Sequence, residues 1–127
     1  MIIKKLFSVF ILIIASFHLY GQQVGHTQIT FIDSSRNNRS VPTEIYYPAT
    51  VAGNNTPIAP GVFPVISFGH GFVMTWSAYQ NFWTDLVPEG YILAFPTTEG
   101  GFAPVHAAFG ADLKFLISEI QTNEAGA

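Results

Sequence analysis

Two short apolar runs with a helical stripe between them constrain the architecture most. Val65-Ile66-Ser67-Phe68 and Tyr91-Ile92-Leu93-Ala94-Phe95 lack a clean alternation of apolar and polar residues. Strands of that kind are buried on both faces, as in the parallel part of an α/β sheet. Between them Tyr79, Phe82, Trp83, Leu86 and Val87 recur at helical spacing and form one apolar stripe. Thr75 or Ser77 can cap this helix, which runs to about Val87, and Gly90 ends it. Two strands joined by a helix imply parallel pairing through a right-handed crossover. After Pro96 and a Gly-containing loop, a second helix is expected from Pro104 to about Gln121, with Phe109, Leu113, Leu116, Ile117 and Ile120 as its core stripe.

The upstream segment reads differently. His26 to Ile32 alternates in the manner of a half-buried strand. Val41 to Tyr47 is a second β-prone run, stopped by Pro48. Asp33 to Ser40 between them is turn-like, and Asn37 and Asn38 tolerate left-handed backbone, so the two runs make an antiparallel hairpin. Gly53, Pro57, Pro60 and Gly61 break regular structure and mark residues 49–63 as a loop. The order is strand, strand, strand, helix, strand, helix. It predicts an α/β fold with a mixed, mostly parallel sheet and flanking helices, and no second domain or internal repeat.

The N-terminus reads as an export signal. Lys4 and Lys5 precede an apolar run from Leu6 to Phe17, short for a membrane span, with small or polar residues at Gly21, Gln22 and Gln23. Cleavage near Gly21–Gln22 divides the chain into a signal peptide, 1–22, and a domain, 23–127, that is secreted or periplasmic and keeps no stable membrane span. The domain has no Cys, so it relies on its packed core alone. Its fixed cations are Arg36, Arg39 and Lys114 against eight carboxylates, a net of minus five. With no Lys/Arg cluster, nucleic acid is not an expected partner. Asn38-Arg39-Ser40 and Asn54-Asn55-Thr56 match the glycosylation acceptor pattern, which is common by chance.

The segment that carries chemistry is Phe63-Pro64-Val65-Ile66-Ser67-Phe68-Gly69-His70-Gly71-Phe72. A buried strand delivers a His-Gly turn to the carboxyl end of a parallel sheet, the edge at which open α/β folds bind ligands. Gly71 lets the backbone approach a substrate oxygen, and an N–H held there can stabilise the negative charge of an acyl-transfer intermediate. This segment, with Trp76-Ser77-Ala78-Tyr79, Gly90-Tyr91-Ile92-Leu93-Ala94-Phe95-Pro96 and Tyr46-Tyr47-Pro48, resembles the α/β-hydrolase superfamily. Its nearest likeness there is to dienelactone-hydrolase-like esterases, platelet-activating-factor acetylhydrolases and cutinase-like polyesterases. The resemblance spans roughly Gln28 to Ile120. It implies an ester substrate, no cofactor, and an oxyanion hole to which Phe72 contributes its backbone N–H. It further implies that the Phe72 ring and Trp76 line the acyl pocket, while His70 and Gly71 are structural parts of the loop.

Two departures from the family pattern stand out. An Asp usually follows the strand matching Tyr91–Pro96, where this chain has Thr97 and Thr98; Glu99 nearby either replaces that acid or is a solvated loop charge, and the second is expected. The Gly-x-Ser-x-Gly nucleophile elbow is absent from the sequence, and in the family the acid and catalytic His come later still. The chain is therefore expected to be the N-terminal part of a truncated, incomplete α/β-hydrolase domain, inactive alone. In the family's strand order the Val65–Phe68 strand would then keep an unpaired edge through which chains could self-associate. His26, His70 and His106 are too irregularly spaced to suggest a metal site, and none is expected. The alternative reading is a non-catalytic secreted α/β module that binds a ligand or partner through its aromatic loop.

Overall fold

The computed structural model describes residues 22–125, so the expected signal segment, 1–22, falls almost wholly outside the described residues. The elements are β1 (Gln23–Asp33), β2 (Arg39–Ala49), β3 (Gly53–Asn54), β4 (Val65–Ser67), α1 (Gln80–Leu86), β5 (Ile92–Pro96) and α2 (His106–Ala125). They build a five-stranded mixed sheet in the order β3-β1-β2-β5-β4 with helices on both faces. The α/β arrangement is the one expected.

β1 and β2 pair antiparallel along their full length, from Gln23↔Ala49 to Asp33↔Arg39. A 3-10 turn, Ser34–Arg36, joins them. The Asp33 carboxylate accepts from the Ser35 N–H at 3.1 Å, and Asn37 and Asn38 take left-handed backbone with φ of 56° and 55°. β2 also pairs antiparallel with β5, but only from Thr43↔Pro96 to Tyr46↔Leu93. This explains why Pro48 does not stop the strand as expected. Pro42 and Pro48 both lie outside the doubly paired stretch, so neither removes a donor from the ladder to β5.

β5 is an interior strand between β2 and β4, buried along its whole length. β4 pairs with it in parallel and lies at the sheet edge, half exposed. The sequence expectation of burial on both faces thus holds for β5 and fails for β4, because β4 has a neighbour on one side only among the described residues. The loop expected over 49–63 contains the two-residue β3, parallel to β1, and an Ala49↔Ile58 bridge.

The two-residue period of the strands divides the core. Ile45, Tyr47, Ile92 and Ala94 face α2 and meet Leu116 and Ile120. Tyr46, Leu93 and Phe95 point to the other face and meet Trp83 and Val87. Burying side chains such as Leu93 and Phe95 contributes about 1.5–3 kcal/mol each. The first helix is shorter than expected. A 3-10 turn, Trp76–Tyr79, precedes α1, Thr75 makes no capping bond, and only Trp83 of α1 is buried. Phe82 and Ile117, both assigned to core stripes, remain 37% and 36% exposed, while Phe115 packs edge-on against Phe31. Among the described residues no helix is long and apolar enough to cross a membrane.

One charge cluster ties hairpin, loop and helix together. Asp112 of α2 is fully buried. Arg39 donates to it twice, Nε to Oδ1 and Nη2 to Oδ2, both at 2.8 Å, and the Thr98 hydroxyl donates at 2.6 Å. Arg36 donates to Asp33 through Nε at 2.5 Å and to the Ala108 carbonyl through Nη1 at 3.3 Å. Its Nη2 lies 2.7 Å from Asp112 Oδ1, a charge contact not aligned as a hydrogen bond. Burial opposes ionisation of Asp112, but the bonds from Arg39 and Thr98 and the Arg36 charge beside it outweigh burial and hold the carboxyl below its usual range. The same cluster keeps Arg39 protonated.

A lowered carboxyl pKa stabilises the fold above the unfolded value, near about 3.9, and that contribution is lost as pH falls through the folded value. Asp112→Ala should therefore cost about 3 kcal/mol at neutral pH, because it leaves two guanidinium groups facing a vacated site. Urea midpoints should fall for the unsubstituted chain between about pH 5 and pH 2 and change less for Asp112→Asn. Equal acid sensitivity in both would remove Asp112 from the account.

Candidate active site

Parallel pairing decides where the site lies. Val65↔Ile92, Ile66↔Leu93 and Ser67↔Ala94 run side by side, and Phe68 N–H donates to the Ala94 carbonyl at 2.8 Å. Both strands therefore release their following loops, 68–75 and 97–105, at the same sheet edge.

His70 bridges the two loops. Its Nε2 lies 2.8 Å from the Thr98 carbonyl and its Nδ1 3.0 Å from the Gly71 carbonyl, and its ring packs on Phe109 at 4.6 Å. Both partners are acceptors, so a neutral ring can donate to only one of them. The Gly71 N–H donates to the Tyr79 hydroxyl at 2.7 Å. A Cβ on Gly71 would stand 3.1 Å from that oxygen and from Met74 Sδ, so any larger residue would push both side chains outward by a few tenths of an ångström. Its backbone is not left-handed. The left-handed residue is Val73, with φ of 55°. Met74 N–H bonds back to the Gly71 carbonyl at 3.1 Å, which makes Gly71–Met74 a turn with Val73 at the position that usually takes Gly or Asn.

The Phe72 N–H has no acceptor among the described residues. The Phe72 ring is 65% exposed and stands edge-on to Phe102, 6.4 Å away on the facing loop. Trp76 is set differently. It packs into the second core cluster, 5.8 Å from Trp83 and 6.0 Å from Tyr46, and no ring contact joins it to Phe72 among the described residues. Tyr46 stacks on Trp83 at 4.1 Å, and burial followed by the nearby Glu44 charge pushes its hydroxyl up to about 12.

Glu99 corrects the sequence expectation of a solvated loop charge. Its carboxylate accepts from Arg39 Nη2 at 3.0 Å and from the Val105 N–H at 2.7 Å, and the residue takes φ of 58°. The Val105 bond, then Arg39, hold its carboxyl below the usual range. Sequence reasoning overlooked Asp112 as well. Its signal was there, because Asp112 falls between Phe109 and Leu113 on the apolar stripe of α2. The Tyr79 hydroxyl bond carried no such signal.

The three candidate histidines stand in separate settings. His26 bonds to Glu44 at 2.6 Å, His70 bonds to carbonyls, and His106 is exposed at the start of α2. Among the described residues no three His, Asp or Glu side chains converge as metal ligands would.

A β-branched residue in left-handed backbone stores strain of order 1–3 kcal/mol. Val73→Gly should release it and raise stability by about 1 kcal/mol, read as a higher urea midpoint. A lower midpoint would mean that packing of the Val73 side chain outweighs the strain.

No protein-family model and no curated protein sequence matches the chain. Among solved structures it is similar to a ferulic acid esterase from Streptomyces cinnamoneus, with a TM-score of 0.52 and 17% identity. The match covers 58% of this chain and 33% of the esterase, so the chain corresponds to about a third of that protein. At this identity the likeness is one of fold: over the matched part, the two share an α/β arrangement of mixed sheet and flanking helices.

Proposed function

We propose that the chain is the N-terminal part of an exported carboxylic-ester hydrolase, ending before the nucleophile elbow and inactive alone. In this reading residues 1–22 act as the export signal, to the periplasm or beyond. The Phe72 N–H donates to the oxyanion of the tetrahedral intermediate. The Phe72 ring and Trp76 border the acyl group, and His70 and Gly71 hold the loop. Such an enzyme uses a Ser nucleophile, an acid and a His base, and the Gly-x-Ser-x-Gly elbow that would carry the Ser is absent from the sequence. No cofactor is required.

The observation that carries this reading is the different use of two adjacent N–H groups. Gly71 spends its own on Tyr79, while that of Phe72 stays free at the edge where two parallel strands deliver their loops. The fold likeness to an esterase supports the same reading. The half-exposed edge strand β4 is where the remaining strands would pair, and in their absence it favours self-association. Exposed Phe72 and Phe102 also suit the second reading, a non-catalytic module that binds through its aromatic loop.

Hydrolysis of a short p-nitrophenyl ester separates the two. Activity is expected only in a form extended through the downstream reading frame, and lost when the elbow Ser is changed to Ala. Phe72→Pro, which removes the N–H at a turn position that accepts proline, should lower kcat by about 10²–10³ in that form, and Phe72→Ala far less. Activity in the 127-residue chain alone would overturn the proposal.

A further inference from the structure

The face of the sheet turned toward α2 carries a cavity of about 520 Å³ that shares no residue with the loops at the candidate active site. Its floor is β1 and β2, with Ile29, Phe31, Ile45 and Tyr47 pointing into it. Ile120 of α2 closes one side and Pro57 and Ile58 the other. α2 packs mainly over β4 and β5, which leaves the β1–β2 half of this face open.

Polar groups gather around Thr27, Asn55 and Thr56. The Thr27 hydroxyl donates to Asn55 Oδ1 at 2.7 Å, and the Tyr47 hydroxyl donates to the Thr56 carbonyl at 2.6 Å. Asn55 is held rigidly: its backbone is left-handed, with φ of 56°, and its N–H bonds to the His26 carbonyl at 2.8 Å. Asn55 is exposed at the rim, and its Nδ2 has no acceptor among the described residues, so a ligand oxygen can replace solvent there. No Asp, Glu, Lys, Arg or His lines the cavity. An ionised head would find no counter-charge at the rim, and a charge drawn onto the buried floor of Ile45, Tyr47 and Ile92 would be desolvated, which is costly. The volume lies within the range of small-molecule sites.

We propose that this cavity binds a neutral amphiphile, an apolar alkyl or aromatic body with one uncharged oxygen head. The body lies along Ile29, Phe31, Ile45 and Ile58, and the head meets Thr27 and the Asn55 amide. The proposal is independent of ester hydrolysis at the other edge of the sheet.

Titration of the full chain with N-phenyl-1-naphthylamine, a neutral fluorophore, should saturate at one probe per chain. The sulfonate 1-anilinonaphthalene-8-sulfonate should bind about tenfold more weakly or worse. 1-Decanol should displace the neutral probe, and decanoate at alkaline pH should not. Ile58 and Ile29 are 58% and 42% exposed, so Ile58→Arg and Ile29→Glu should leave the circular dichroism spectrum unchanged. Each should weaken probe binding by about tenfold, whereas Phe72→Ser should not. Uptake that never saturates, insensitivity to both variants, or one probe per two chains would overturn the proposal. The last result would show instead that a second copy covers this face.

Discussion

The Asp112 carboxylate is the point on which the tertiary structure turns. It sits without solvent contact on α2, receives two bonds from Arg39 at the start of β2, and takes a third from Thr98 after β5. The hairpin, the loop after β5 and α2 therefore converge on one group. A buried carboxylate is costly unless it is paired, so any arrangement that separates these elements leaves charges exposed to a poor environment. The pairing selects one docking of the helix on the sheet, which apolar contact, being non-directional, does less sharply.

The same cluster reaches the candidate site. Thr98 bonds to Asp112 through its side chain and to His70 through its carbonyl. Glu99 bonds to Arg39 and to the Val105 N–H, and so closes the loop on itself. The 97–105 loop is thereby anchored to the core on one side and to the 68–75 loop on the other. Strained backbone at Val73 and Glu99 is placed where such anchoring can hold it. The resulting edge is preorganised, which is what stabilising a developing charge requires.

Much of this was legible from residue patterns. The unbroken apolar run Tyr91–Phe95 marked a buried strand, the alternation of His26–Ile32 marked a hairpin arm, and the His70-Gly71-Phe72 turn marked the loop that leaves the parallel pair. These signals are local, because side-chain periodicity depends only on backbone geometry within an element. The misses were non-local. Val65–Ser67 has the composition of a strand buried on both faces, yet it is half exposed; the family's strand order, not the local pattern, had pointed to an unpaired edge there. Glu99 looked like a loop charge because Arg39 lies sixty positions away in the chain.

By itself, the sequence determined the main strands and helices, their apolar stripes, and the left-handed turn at Asn37 and Asn38. Each of these follows from short-range sterics and from which side chains leave water. Only the tertiary structure decided the strand order, the pairing of Asp112 with two arginines, the contact of Gly71 with Tyr79 and the open half of the sheet. Those depend on distances between residues far apart in the chain, and a local pattern carries no record of such distances.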